Sequence, residues 1–387
     1  MENWLDLLRR QYNYRLAERF RWWEENRCPV NACPLVCSIA PLAEQPEYYG
    51  QKRDLTQTKA LFPEYGNIYS TVLQDCIGRV KKTFDRFIKG DVKGKRSGKP
   101  RFKQRSRYRS FTYPEIKADC IKGKHITLPK IGDVKIILHR PIPDGFAIKT
   151  STVVCKADGW YVTLSLQDDT IPTISPDIKP ERIVGIDVGL KDFLVTNENE
   201  SVTIPQFTRK SEKRRKLLNK SLSRKKKKGT KRRQKAGKKL SKHYQKVARQ
   251  RRDFHFKTAK WLLAKYDIIA HEDLNIKGLA KTRLSKSILD AGWGEFIEIV
   301  TVKAASAGRI TVAVNPKGTT QNCSGCGAKI PKDLSVRWHN CLCGVSLSRD
   351  HNAAINVLKM AEGHPVVKAH RVSYAVAGFG EKPPLSA

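Results

Sequence analysis

Three carboxylates and four thiols have the types and settings to do chemistry. Asp187 is the one carboxylate inside an apolar, glycine-flanked run, Arg182-Ile-Val-Gly-Ile-Asp-Val-Gly. Glu272 ends a second apolar run, Tyr266-Asp-Ile-Ile-Ala-His-Glu. Asp350 stands at the start of Arg349-Asp-His-Asn-Ala-Ala-Ile-Asn-Val-Leu, which reads as a helix beginning at an acid. Carboxylates brought together from separate elements can hold two divalent ions about 3.5–4 Å apart, which activate water and neutralise the leaving oxygen in phosphodiester cleavage. Mg²⁺ binds through a few carboxylates plus water and substrate oxygens, so three acids suffice; Mn²⁺ is the natural substitute. Each acid alone has a plainer reading. Asp187 could be a strand aspartate satisfied by amides, Glu272 a solvated strand end, and Asp350 a helix N-cap. Only the set of three points to a site. His271 and His351 flank two of the acids and are expected to be structural rather than catalytic bases.

The thiols are Cys323-x-x-Cys326 and Cys341-x-Cys343, four of the chain's 10 cysteines. Met1 leads into Glu2 and a basic, aromatic segment rather than a secretory core, so the chain is expected in the cytoplasm, associated with the nucleoid. Paired cysteines at this spacing then indicate one structural Zn²⁺ with a closed, four-coordinate shell rather than disulfides. The C-x-C pair makes a tighter knuckle than C-x-x-C. Cys28, Cys33, Cys37, Cys76, Cys120 and Cys155 are expected to be free, mostly buried thiols; a second metal site at Cys28, Cys33 and Cys37 is the lesser alternative.

The elements that must position these groups can be read from periodicity. The apolar runs ending near Asp187 and Glu272 are strands, Phe193-Leu-Val-Thr returns from the first as a hairpin, and Ile310-Thr-Val-Ala-Val is a further strand. A helix is expected near 292–307. Between the strands, residues 209–260 carry 25 Lys/Arg against Glu212 and Asp253, a net of +23 out of the chain's +38. Gly229-Thr230 divides this stretch into two helical arms, with Ala236, Leu240, Tyr244, Val247 and Phe254 as a packing stripe on the second. Upstream, residues 1 to about 90 read as helical: Leu5, Leu8, Tyr12 and Leu16 mark one apolar face, and Ile68, Val72, Ile77, Val80, Phe84 and Phe87 another. A basic linker comes next, at 89–109. From 108 to 168 the period falls to two, in short β-rich runs that suggest a small barrel. A proline-marked boundary, Ile174-Ser-Pro-Asp-Ile-Lys-Pro, closes that region.

A pI of about 10.0 points to a polyanion as partner, bound largely by release of its counterions. The basic runs lack the Trp/Phe/Leu face of a membrane-surface helix, and no apolar run reaches the roughly 18 to 20 residues needed to cross a bilayer. Nucleic acid is the expected partner.

With these residues in place, the chain resembles TnpB, the insertion-sequence nuclease family related to type V CRISPR effectors. The resemblance is strongest in GIDVGLKDFLVT (185–196), HEDLNIKGLAK (271–281), GWGEF (292–296), TTQNCSGCGAK (319–329) and CGVSLSRDHNAAINVL (343–358). It extends through the basic arm and back to GKPRFK and SFTYP, covering nearly everything from about residue 66. It implies an α+β multidomain chain: a helical recognition lobe at 1–95, a wedge-type β-barrel at 96–170, and an RNase H-like RuvC domain at 171–387. That last domain would carry the basic hairpin 209–260 and an inserted zinc finger, 319–345. Asp187, Glu272 and Asp350 would be the three RuvC acids and bind two Mg²⁺, with Cys323, Cys326, Cys341 and Cys343 holding zinc. The implied activity is DNA cleavage beside a short duplex motif, directed by a guide RNA from the transposon end, with double-stranded DNA as target.

One departure stands out. Family members begin with a strand of the form R-Y-x-L-Y-P, whereas this chain opens at Asn3-Trp4-Leu5, within the helix next in order. The start is therefore truncated or mis-assigned, or the barrel closes differently. The rivals are a guided DNA-binding regulator impaired in cutting and a strand-joining transposase. Intact acids argue against the first, and the inserted knuckle argues against the second.

Overall fold

The computed structural model describes residues 1–27, 44–92, 94–117, 119–167, 178–227, 229–333 and 335–368. Cys28, Cys33 and Cys37, and most of the proline-marked boundary, lie outside the described residues. Two compact units divide the chain, Met1–Asp169 and Thr170–Ala387. Among the described residues, no helix is long and apolar enough to cross a membrane.

In the first unit, helix α1 (Glu2–Arg27) buries Trp4, Leu8, Tyr12, Leu16 and Phe20, a repeat of four that keeps one face inward. Short helices α2 (Tyr48–Arg53) and α3 (Leu55–Leu61) follow, and α4 (Ser70–Ile88) buries Val72, Leu73, Cys76, Ile77, Val80 and Phe84. Strands β1 (Ser110–Tyr113), β2 (Ile121–Lys122), β3 (His125–Leu128), β4 (Gly132–Lys135), β5 (Ala147–Cys155) and β6 (Trp160–Gln167) form two antiparallel sheets, ordered β1-β5-β6 and β2-β3-β4. Both sheets share one hydrophobic core with α1 and α4. The basic linker is irregular, yet it is tied down. Asn13 and the backbone of Lys103 exchange hydrogen bonds of 3.0 and 2.7 Å, and Lys99 pairs with Glu24 at 2.9 Å. Periodicity alone hid one feature of α1: Arg15 and Arg19 are fully buried. Arg15 meets Glu18 and Asp54, and Arg19 donates twice to Gln51.

The second unit is built on a five-stranded sheet. Strands β7 (Ile183–Asp187), β8 (Asp192–Thr196) and β9 (Ser201–Thr203) form an antiparallel meander. Helices α5 (Phe207–Lys210), α6 (Glu212–Ser223) and α7 (Lys231–Lys265) make the basic arm, with Thr230 capping α7 through its side chain. Strand β10 (Ile268–Glu272) then pairs in parallel with β7. Helices α8 (Ile276–Leu279), α9 (Ser285–Ala291) and α10 (Trp293–Ser306) lead to β11 (Ile310–Val314), parallel to β10. A small hairpin, β12 (Trp338–Asn340) and β13 (Ser346–Ser348), precedes helix α11 (Arg349–Glu362). The sheet order is β11-β10-β7-β8-β9.

Period-two alternation divides this sheet's side chains between two cores. Val184, Ile186 and Ile269 pack with α7 and α10, while Ile183, Ile268 and Ala270 pack with Val357 and Ala361 of α11. Asp187 is two and four residues from Gly185 and Ile183, so it belongs to the α11 face; Glu272 comes after Ala270 on that same face. Gly185 is what lets the helix come so near. A Cβ there would stand 2.4 Å from the Ala354 carbonyl oxygen and 2.6 Å from the Leu358 nitrogen. Backbone cannot yield as a side-chain tip can, so Gly185→Ala should cost about 3 kcal/mol, the upper end for overpacking. Denaturant unfolding checks this; a variant as stable as the parent would show that α11 can slide.

Candidate functional site

Beside β7, β10 continues to β11 on one side while β7 turns back to β8 on the other. Their shared carboxyl edge is therefore a switch point of the kind where open α/β sheets place their sites. Asp187 and Glu272 are the last residues of β7 and β10, and His271 is in register with Ile186, which sets the two acids side by side. Asp350 lies in the first turn of α11, where the helix dipole favours a carboxylate. Its Oδ2 is 3.7 Å from where a Cβ on Gly189 would stand, so it faces the β7–β8 turn. Asp350 is not the N-cap: Ser348 fills that position and accepts from the His351 amide at 3.2 Å.

Asp187 is buried, and its carboxyl is held well above the usual aspartate range. Burial is the main cause, followed by the charges of Glu272 and Asp350, with Arg349 and the Val188 amide opposing. Burial also raises Glu272, against a hydrogen bond from Thr319 that lowers it. Acids that resist ionisation in one another's company make a place suited to a cation. The neighbouring histidines meet backbone carbonyls. His351 Nε2 is 2.9 Å from the Asn197 carbonyl oxygen, and His271 Nδ1 is 3.0 Å from that of Glu272.

The thiols of Cys323, Cys326, Cys341 and Cys343 converge so that all four sulfurs lie within 4.8 Å of one another. Cys323 and Cys343 are 3.6 Å apart, and Cys326 and Cys341 are 3.5 Å apart. A tetrahedron with Zn–S bonds of about 2.3 Å has edges of about 3.8 Å, so the donor set fits zinc. Burial raises the Cys323 thiol, but amides of Cys326 and Gly325 and the side chains of His339 and Cys343 bring it down to about 5. Cys341 is pushed up to about 12 despite the Cys343 amide, because Cys343, Cys326 and Cys323 crowd the same charge. Four thiolates could share this space only with a cation among them. Elsewhere Cys76 and Cys120 are buried free thiols and Cys155 is half-buried.

Residues that sequence reasoning missed fasten this knuckle to the acid site. On α11, Asn352 accepts from the Ser324 amide at 2.9 Å and donates to the Asn322 carbonyl at 2.8 Å. Asn356 donates to the carbonyls of Thr319 and Asn322, and Lys359 to that of Ser324. The readable signal was a polar stripe at positions 352, 356 and 359 within an otherwise apolar helix face.

The basic arm packs as expected through Ala236, Leu240 and Val247, with Phe254 half-buried. Tyr244 departs from the expected stripe: it is about half exposed and lies beside Arg215 of α6. Between α6 and α7 lies a cleft of about 770 Å³ lined by Lys210, Arg214, Lys239, Lys242 and Lys246 over Phe207 and Val247. At the arm's base, the buried Asp290 accepts from the amides of Thr208 and Arg209, and Lys286 pairs with Glu212 at 2.7 Å.

The fold and site thus define a mixed α/β protein with acids at the sheet's carboxyl edge, a cysteine knuckle and a long cationic arm. Comparison with known proteins narrows this. The family described as "Probable transposase" (OrfB_IS605) matches residues 164–283, and "Cas12f1-like, TNB domain" matches 293–357. A "Putative RNA-guided DNA endonuclease" of Streptomyces pristinaespiralis is 30% identical over 329 residues, spanning 80% of this chain and 79% of that protein. "Putative RNA-guided DNA endonuclease InsQ" of Escherichia coli K12 is 27% identical over 77% of this chain and 75% of its own length. "TnpB-like protein L79" of Acanthamoeba polyphaga mimivirus is 31% identical over 51% of this chain and 43% of its own. In fold, the chain resembles a protein solved by cryo-EM in a Cas12f1-sgRNA-target DNA complex, with a TM-score of 0.55 at 16% identity over 92% of this chain and 82% of that one. The chain belongs to the TnpB family.

Proposed function

We propose that this protein is an RNA-guided DNA endonuclease, in which Asp187, Glu272 and Asp350 together hold two Mg²⁺ ions. The observation that carries the reading is that the three acids, far apart in sequence, come to the carboxyl edge of one sheet face. Mg²⁺ bound there would supply an activated water and charge neutralisation at the leaving oxygen. The chain's own part is to hold the carboxylates at fixed positions and to keep them partly out of water. The sheet order, a meander of three strands flanked by two parallel ones, supports an RNase H-like, RuvC-type assignment for 171–387, with the knuckle at 319–345 as its zinc finger. For the first unit we assign 1–95 as a recognition lobe and 96–170 as the wedge region. The partners in this reading are a guide RNA from the transposon end and a double-stranded DNA target beside a short motif, met in the cytoplasm at the nucleoid. The test is cleavage of a plasmid target with and without cognate guide RNA and Mg²⁺; cutting that ignores the guide would overturn the reading.

The arm's part is to track a nucleic-acid backbone. If the five cleft cations Lys210, Arg214, Lys239, Lys242 and Lys246 all meet duplex phosphates, replacing them with glutamine should flatten the slope of log K against log salt by roughly 4 to 5. Binding measured across a salt series reads this directly. An unchanged slope would mean that these charges are only solvated.

A further inference from the structure

Thr319 is buried, at 2% exposure, five residues beyond the end of β11. Its hydroxyl lies 2.5 Å from Oε1 of Glu272 and 3.0 Å from the Pro316 carbonyl oxygen. A hydroxyl has one proton to give. The contact to the carboxylate is the shorter of the two, so Glu272 is the acceptor. Among the described residues, no other side chain is hydrogen-bonded to the Glu272 carboxylate. A glutamate at a strand end otherwise keeps rotamer freedom.

Thr319 is itself immobilised. Asn356 donates to its carbonyl at 2.8 Å, and Asn352 holds Asn322 and Ser324 on either side of Cys323. Both asparagines belong to the helix that carries Asp350, so one helix fixes the third acid and the loop that reaches the second.

We propose that Thr319 is the positioning residue for Glu272: its hydroxyl selects the carboxylate rotamer in which Glu272 would help to hold a divalent ion. The knuckle loop, fastened by Asn352 and Asn356, serves as its support. This rests on the reading of Asp187, Glu272 and Asp350 as the ion-holding acids.

The test uses the zinc-loaded full chain and reads Mn²⁺ binding by electron paramagnetic resonance, without nucleic acid, beside guided cleavage. Outer-shell partners of metal ligands typically contribute 10- to 100-fold in affinity or activity, so Thr319→Val should weaken Mn²⁺ binding by about that factor, with a parallel fall in cleavage. Thr319→Ser, which keeps the hydroxyl, should restore both. Thr319→Ala serves as a second hydroxyl-free variant should valine pack badly; melting temperature and zinc content identify which is folded. A folded variant without the hydroxyl that binds Mn²⁺ as the parent does overturns the proposal. Glu272→Ala, run alongside, separates the two levels. If it too binds Mn²⁺ normally, the three-acid reading falls. If it loses binding while Thr319→Val keeps it, the positioning role alone falls.

Discussion

Replacing Asp187 by alanine is expected to stop Mg²⁺-dependent cleavage, and Glu272→Ala and Asp350→Ala should each do the same. A bound divalent ion supplies several kcal/mol of transition-state stabilisation. Each 1.4 kcal/mol is about tenfold in rate, so the loss should be at least about 10³-fold. RNA and DNA binding should persist, because it draws on phosphate contacts and base pairing remote from the acids. Double variants should be no slower than single ones, since groups that act as a unit do not add. Stability separates this from a structural role. Ser348, not Asp350, caps α11, so Asp350→Ala should cost no more than the dipole contribution of about 0.3–1 kcal/mol. Asp187 is buried among like charges, so Asp187→Ala should not lower the melting temperature of the ion-free protein. Cleavage and melting measured on the same preparations decide the matter. A stable, active Asp350→Ala protein would leave the proposed two-ion site without its third acid.

Much of this arrangement is legible in the sequence because it rests on strict periods and on chemically distinctive residues. Ile183–Asp187 and Ile268–Glu272 read as buried strands since nothing but their last residues and His271 interrupts the apolar run. Gly229-Thr230 reads as a break because glycine there has a φ of +85° and threonine caps α7. Tertiary polar contacts stay hidden. Nothing in the spacing of Thr319 says that it will meet a residue 47 positions away, and buried Arg15 and Arg19 look like surface cations until α2 supplies Gln51 and the α2–α3 junction supplies Asp54. Tyr244 departs from its expected place for a related reason: helical spacing gives a face, but whether the face is covered there depends on the neighbouring arm. Short helix α9 is not legible because seven residues give too little period to register, though its Asp290 anchors the base of the arm.

Removing zinc should damage more than the knuckle that binds it. We expect one zinc per chain, held by Cys323, Cys326, Cys341 and Cys343 with Zn–S distances of about 2.3 Å by X-ray absorption. Structural zinc contributes an apparent 10–16 kcal/mol in small isolated fingers, far more than a 27-residue loop with one short strand can gain otherwise. Cys341→Ser should therefore abolish stoichiometric zinc and unfold 319–345 locally. The sheet, α7, α10 and α11 have their own cores, so far-ultraviolet dichroism should change little. Cleavage should nevertheless fall, because the loop that Asn352 and Asn356 hold carries Thr319 to Glu272. A loss of cutting with near-normal helix and strand content would mark zinc as a structural ion acting at a distance on the acid site. Zinc-free protein that melts and cuts like the parent would mean that the four sulfurs converge without needing an ion, and the support assigned to the knuckle would go with them.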